Sequence, residues 1–434
     1  MSAQLNNDFN PALCNALACR IAASPSCRIT FAEYMDLVLY HPEHGYYATN
    51  TVNIGPQGDF FTSPHLGSDF GELLAEQFVQ MWEILERPIP FTLIEMGAGQ
   101  GLLAVDILDY LYLHYPDFFD ALDYVIVERS AALREEQQKR LQKLSDAYSP
   151  NVLGTKKAQP NAKFVLRLRW ATLEEIPLGS ITGCCFSNEL VDALPVHQFV
   201  MEGGKLREIY VTMLEDAREF LSRPSAPLPS FVEVTAEPST PLLAGYLDLV
   251  TIDLSSSAYP DGYRSEINLA ALEWLSMVAN PLKRGYLLTI DYGYASERYY
   301  NPARFRGTLQ CYYRHWHHDN PYIHIGQQDI TAHVDFTGLE VWGNVCGLDN
   351  VGFTKQGLFL MALGLGDRIA ALSTNSEAIV EAQGLTHLLR RREALHQLIE
   401  PLGLGGFGVL VQSKGLTQAQ AVTPLQGLIP LKVK

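Results

Sequence analysis

Basic residues are in short supply in this 434-residue chain: 32 Lys and Arg stand against 48 Asp and Glu, a formal charge of −16. That deficit argues against non-specific nucleic-acid binding, which needs a basic face. It fits a basic partner, or simply a solvated acidic surface. Cysteine is sparse too, with seven residues at 14, 19, 27, 184, 185, 311 and 346. An odd count without any C-x-x-C pair argues against a disulfide framework or a zinc ribbon and fits free thiols in a reducing compartment. Cys184 and Cys185 stand in an apolar run, as core residues do. No run approaches ~18 uninterrupted apolar residues, so no membrane span is expected. The first thirty residues lack a signal-peptide core, and Arg20 and Arg28 are their only basic residues. Neither a secretory signal nor a transit peptide is expected, and the expected location is cytoplasmic.

What remains is ordinary globular composition, 47% hydrophobic and 18% charged, at a length that buries a sizeable core in one large or two moderate domains. Residues 1–90 read as an N-terminal helical cap. It starts with a helix from Pro11 to Ala23, continues with "TFAEYMDLVLYHPEHGYY", where Thr30 and Glu33 have capping-box spacing, and ends in the amphipathic "GSDFGELLAEQFVQMWEIL". From Phe91 short apolar strands alternate with helices: strand 91–96, helix 102–114, strand 124–128, helix 130–144, strand 164–168 and strand 183–190. This alternation predicts an α/β fold, a mostly parallel sheet with helices on both faces. It is interrupted at about 197–262, where a hairpin turning at Gly203-Gly204 leads into a Pro- and Ser-rich stretch, an apparent insertion. It resumes with the helix "SEINLAALEWLSMVANPL" and the strand at 285–293. The runs "GLEVWGNV" and "GFGVLVQSKG" are expected to supply the last, antiparallel strands of a domain spanning 91–420.

The stretch "FTLIEMGAGQGLLAVDIL" (91–108) joins a strand, a glycine-rich turn and a helix. No Lys-Ser or Lys-Thr follows the glycines, which removes a P-loop. The dinucleotide pattern needs a small residue at 102, where Leu102 stands. Gly97, Gly99 and Gly101 with Glu95 two positions upstream give instead the form of class I methyltransferases, whose ligand is S-adenosylmethionine. Glycine there lets the backbone approach the ligand where a Cβ would intrude. The next strand ends at Glu128, and a carboxylate in that place can accept from both ribose hydroxyls. A further strand ends in "FSNELVDALP", which sets Asn188, Glu189 and Asp192 where the cofactor's methyl group would lie.

The chain resembles the MidA family over roughly residues 28–365. The blocks that carry the resemblance are "YHPEHGYY" (40–47), "GDFFTSP" (58–64), "EMGAGQG" (95–101), "SNELVDALPVHQF" (187–199), "TIDYGY" (289–294), "GTLQCYYRH" (307–315) and "DITAHVDF" (329–336). The resemblance implies a class I methyltransferase fold and S-adenosylmethionine as methyl donor. For the family's mitochondrial members, which assist assembly of respiratory complex I, it implies methylation of an arginine in a complex I subunit. Glu95, Gly97, Ala98, Gly99 and Gly101 match the family's cofactor loop, and Asn188, Glu189 and Asp192 its "NE-x-x-DALP" block. The chain departs from the family pattern at His65 to Ser68, and the resemblance adds little over 367–420.

Methyl transfer to arginine is an in-line displacement that needs positioning in a dry pocket. A guanidinium has a pKa above ~12 and is a poor nucleophile while protonated. Carboxylates that bind its N–H groups orient one nitrogen and stabilise charge. Glu189 is the first candidate for this task and Asp192 the second, with Asn188 orienting them or the cofactor. The histidines at 315, 317, 318, 324 and 333 match no zinc spacing, so no metal is expected. Their segment is expected to line the acceptor pocket, with Asp329 as a helix N-cap. A small-molecule acceptor stays open as an alternative, as does a non-catalytic assembly protein that binds S-adenosylmethionine.

Overall fold

A computed structural model describes residues 9–49, 62–148, 166–217, 221, 229–314, 316–375 and 382–430 of the protein. In chain order its strands are β1 (Ile29–Thr30), β2 (Phe91–Met96), β3 (Leu122–Val127), β4 (Arg167–Ala171), β5 (Ile181–Asn188), β6 (His197–Glu202), β7 (Lys205–Met213), β8 (Phe231–Ala236), β9 (Arg264–Ile267) and β10 (Leu282–Asp291). There follow β11 (Gly293–Tyr294), β12 (Gln310–Tyr313), β13 (Trp316–His318), β14 (Asp329–Thr331), β15 (Val334–Asp335), β16 (Asp349–Lys355) and β17 (Gly408–Lys414).

Seven strands make the central sheet, in the order β16-β17-β10-β5-β2-β3-β4. Strands β2, β3, β4, β5 and β10 are parallel, and β17 runs antiparallel between β10 and β16. All six residues of β2 are buried, which is why it reads as an unbroken run: a parallel strand is covered on both faces. One face packs the helices Asp69–Ile84 and Leu102–His114, and the other packs Leu269–Ala279 and Phe336–Val345. Chain order reverses between β2 and β5, which opens a crevice at their carboxyl ends.

Around Gly101 the expected elements fall where the sequence put them. Strand Phe91–Met96 and helix Leu102–His114 keep their expected limits. Strand β3 stops at Val127, so Glu128 lies just beyond it. The strand expected at 164–168 is found at Arg167–Ala171, with 164 and 165 outside the described residues. β5 ends at Asn188 because Glu189 turns the chain with φ 51°.

Three expectations are corrected. "GLEVWGNV" is helical: Asp335 caps Phe336–Val345 by accepting the N–H groups of Thr337 and Gly338, and Phe336, Leu339 and Gly343 are buried at helical spacing. The edge strand is β16 instead. Asp329 caps no helix, since 329–331 pairs with β12 as β14. The helix expected from Ser265 begins at Leu269, capped by Asn268, because residues 264–267 pair with β6 as β9.

A second sheet, β1-β7-β6-β9 with β8 on β7, is built from the interrupting segment, the strand β9 that directly follows it and one N-terminal strand. The helices Pro11–Ala23 and Phe31–Tyr40 share a hydrophobic cluster with β7, whereas Asp69–Ile84 belongs to the core of the central sheet. Thr30 Oγ1 accepts the Glu33 N–H at 3.1 Å as its spacing predicts, while the Glu33 carboxylate pairs with Arg20. No helix among the described residues is long and apolar enough to cross a membrane.

Candidate functional site

At the end of β2 the chain enters a glycine loop. Gly97, Gly99 and Gly101 have φ of 69°, 52° and 75°, in the left-handed region that glycine occupies without steric cost. Their duties differ. A Cβ on Gly101 would make only ordinary contact with Gln137 Cγ at 3.4 Å, so this glycine serves the left-handed turn that starts helix 102–114. A Cβ on Gly99 would meet no atom within 4 Å, and Gly99 lines a cavity.

Glu95 and Glu128 face that cavity with Ala98. Tyr124 donates its hydroxyl to Glu95 Oε2 at 2.7 Å, yet burial pushes the Glu95 carboxyl up to about 7. Glu128 Oε1 accepts the Ser130 N–H (2.9 Å) and Oε2 the Gln137 Nε2 (3.0 Å). Burial raises its pKa, and these bonds oppose the rise. Gln137 also donates to the Gly99 carbonyl at 2.9 Å and accepts from Trp170 Nε1. One buried amide thus ties the glycine loop to the carboxylate after β3. Arg129, whose ion pair is with Asp36, leaves Glu128 free to face the crevice.

The end of β5 gathers carboxyl groups. Glu189 is enclosed by protein but keeps some surface toward the cavity. Its Oε1 accepts from Asn188 Nδ2 (3.1 Å) and from the Ser63 N–H (3.4 Å). Burial and the neighbouring Asp192 push its pKa up to about 8. Burial lifts Asp192 to about 6, against a hydrogen bond from Tyr292. A non-glycine residue at positive φ costs of order 1–3 kcal/mol, and such strain clusters at functional positions.

Asp291 is a member of this group that sequence reasoning missed. Fully buried, it accepts the Val191 N–H (2.9 Å) and the Asp192 N–H (3.3 Å) on Oδ2 and the Tyr292 N–H (2.8 Å) on Oδ1. Its pKa stands well above the usual carboxylate range through burial and the charges of Asp192 and Glu189. The block "TIDYGY" contained it, but nothing in its spacing shows that it holds a turn 100 residues earlier.

Two cavities share Glu189 and Tyr47 in their walls. The smaller lies over the glycine loop and brings together Glu95, Gly97, Ala98, Gly99, Glu128 and Asn188. Gly101 shapes the loop without lining this cavity. The larger, about 1150 Å³, takes in Asp192, Tyr292, Tyr312 and Asp329. Tyr40, Tyr47 and His65 also line the smaller cavity and had no assigned role. Tyr40 and Tyr47 stand at the ends of the "YHPEHGYY" block, and Tyr47 donates to Asp329 Oδ1 at 2.9 Å. His317 and His333 line the larger cavity, and burial and Arg304 lower His333 to about 4. Among the described residues no three His, Cys, Asp or Glu side chains cluster as metal ligands. His315 lies outside the described residues.

A glycine turn at the switch point of a doubly wound sheet, with carboxyls closing two neighbouring strands, defines a class I methyltransferase fold. A family model described as "Putative S-adenosyl-L-methionine-dependent methyltransferase" matches residues 73–354, and the chain belongs to this family. It is 32% identical over 350 residues to the Drosophila melanogaster "Protein arginine methyltransferase NDUFAF7 homolog, mitochondrial", covering 77% of this chain and 71% of that one. With the Homo sapiens protein arginine methyltransferase NDUFAF7, mitochondrial, identity is 29%, over 80% and 73% of the two chains. A Burkholderia thailandensis protein crystallised with S-adenosyl-homocysteine superposes with a TM-score of 0.75 at 28% identity, covering 96% and 95%. The protein is thus an S-adenosylmethionine-dependent methyltransferase of the MidA type. The expected cytoplasmic location is overturned, because the Drosophila and human relatives are named as mitochondrial proteins. A poor leader in the first thirty residues was too slender a basis for it.

Proposed function

We propose that the enzyme methylates an arginine of a protein substrate, with cofactor over the glycine loop and the arginine in the larger cavity. The relatives' names support an arginine acceptor, and the MidA resemblance supports a respiratory complex I-type subunit as its carrier. One observation carries the reading: Glu189 and Asp192 line one wall of the larger cavity with the buried Asp291 bonded to the turn beside them, and the charge of Asp192 raises the pKa values of both Glu189 and Asp291. Crowded carboxyls of this kind are relieved by a cation, and a guanidinium matches them in charge and shape.

The smaller cavity fits S-adenosylmethionine. Asn188 Oδ1 is buried there without a hydrogen-bond donor among the described residues. Each Glu128 oxygen already accepts one bond and retains a lone pair for a hydroxyl. When bound, the cofactor supplies a methyl group on a sulfonium. The chain's own residues do the rest. Glu95, Gly97, Ala98, Gly99 and Glu128 hold the ligand, and Gly101 starts the helix that supports them. Glu189 and Asp192 orient the acceptor nitrogen and stabilise its charge, with Asn188 fixing Glu189.

S-adenosylmethionine and S-adenosyl-homocysteine are each expected to raise the melting temperature by binding the native state, a stabilisation of about 2.7 kcal/mol at a hundred times Kd. Labelled cofactor added to a lysate of the source cells should mark a protein on arginine. Label on a small molecule, or a shift with NAD alone, would overturn the reading. Glu128→Ala should weaken cofactor binding by roughly 1.5–3 kcal/mol, as for a hydrogen bond to a charged group. A calorimetric titration showing unchanged affinity removes Glu128 from the ribose contact.

A further inference from the structure

The larger cavity has an acidic floor and a basic mouth. Glu189, Asp192 and Asp329 line its floor, and Arg298 and Lys355 line the same space. The Arg298 guanidinium lies 4.3 Å from the centroid of the Tyr294 ring, and the Lys355 ammonium 5.6 Å from that of Phe353. Cation–π contacts of this kind hold a charge in place without neutralising it. Burial lowers the pKa of Lys355, and the charge of Arg298 adds to the effect, so the two cations feel one another. Among the described residues neither forms an ion pair, whereas Arg207, Arg264, Arg368 and Arg391 all do. Both cations line a cavity whose other charged walls are the carboxyls of Glu189, Asp192 and Asp329. Exposed Leu358 and Leu402 flank them.

The sheet register gives a distance between floor and mouth. Asn188, Ile290, Val409 and Thr354 are successive partners across β5, β10, β17 and β16. Three strand spacings of ~4.8 Å place Thr354 roughly 14 Å from Asn188. Glu189 follows Asn188 and Lys355 follows Thr354, at the same edge of the sheet. An extended peptide rising ~3.3 Å per residue covers that span in about four residues.

We propose that Arg298 and Lys355 read an acidic side chain of the substrate, an Asp or Glu about four residues from the acceptor arginine. This rests on the reading that the acceptor is a protein arginine. The charge order of the cavity sets the order along the substrate: cation toward Glu189 and Asp192, anion toward the mouth.

Synthetic peptides carrying one arginine, with glutamate or lysine four residues to either side, test the proposal at saturating S-adenosylmethionine. The glutamate peptide on the favoured side should show a KM about tenfold or more below its lysine counterpart. The double variant Arg298→Glu with Lys355→Glu should invert that preference while still binding S-adenosyl-homocysteine. If that variant does not fold, Arg298→Gln and Lys355→Gln singly should each reduce the preference. Equal KM values for the two peptides, or a preference that survives charge reversal, overturn the proposal while arginine labelling keeps the function intact. Label on lysine or on small molecules, with every arginine peptide unmarked, overturns the arginine reading and this proposal together.

Discussion

Glu189→Gln is expected to lower methyl transfer by on the order of a hundredfold or more, the loss seen when a preorganised electrostatic contact is removed. Affinity for S-adenosyl-homocysteine should stay within a few-fold. The substitution preserves size, and a glutamine oxygen can still accept from Asn188 and from the Ser63 N–H, so the turn after β5 should persist. Charge alone is lost. Glu189 titrates near 8 and Asp192 near 6. A carboxyl with a raised pKa is protonated, and useless to a guanidinium, below that value. In the wild type kcat/KM should therefore climb with pH between about 6 and 8 and fall away on the acid side. The two steps belong to the coupled carboxyls jointly. Glu189→Gln should remove the upper step. Linkage adds a second readout. The folded protein holds this proton to higher pH than the unfolded chain does, so the carboxyl's effect on stability worsens as pH rises toward about 8. The variant's melting temperature should exceed the wild type's above that pH. A pH–rate profile unchanged by the substitution, with full activity, would remove Glu189 from the acceptor site.

The legible parts of this site were those whose cause is local. Phe91–Met96 and Leu102–His114 were legible because a strand buried on both faces is apolar throughout, and because Gly101 marks the helix start. Glu128, Asn188 and Glu189 were found because a polar residue after an apolar strand is itself a sequence signal. Asp291 ends an apolar strand in the same way, but its partners, the N–H groups of a turn near residue 191, are a hundred residues away and leave no local mark. Tyr47 is hidden in the same way: its hydroxyl meets Asp329 across 282 residues. Misreading "GLEVWGNV" as a strand has a physical origin too. Short Val- and Trp-rich runs favour strands by propensity, but Asp335 supplies an N-cap that begins a helix there. Strand β9 was lost for the opposite reason, because its four residues form a strand only by pairing with β6. Pairing partners distant in the chain are what a single sequence conceals.

Gly99→Val is expected to abolish the stabilisation by S-adenosylmethionine and S-adenosyl-homocysteine while leaving a folded protein. No atom lies within 4 Å of a Cβ built on Gly99, so the substitution meets no steric obstacle within the chain. The folding cost is conformational. A branched residue held at φ 52° loses about 1–2 kcal/mol, as left-handed backbone does for any residue with a Cβ. That corresponds to a few degrees in melting temperature at most. Binding suffers more, because the added methyl groups occupy the cavity where Glu95 and Glu128 converge on the loop. Gly101→Ala is the control. Its Cβ would make ordinary contact with Gln137 at 3.4 Å, and Gly101 does not line the cavity. It should therefore lower stability through the strain of a Cβ at φ 75°, yet retain most of the ligand-dependent shift. Melting curves of both variants, with and without S-adenosyl-homocysteine, separate the two duties of the loop. A full ligand shift in Gly99→Val would mean that the cofactor does not lie over these glycines, whatever the family pattern suggests.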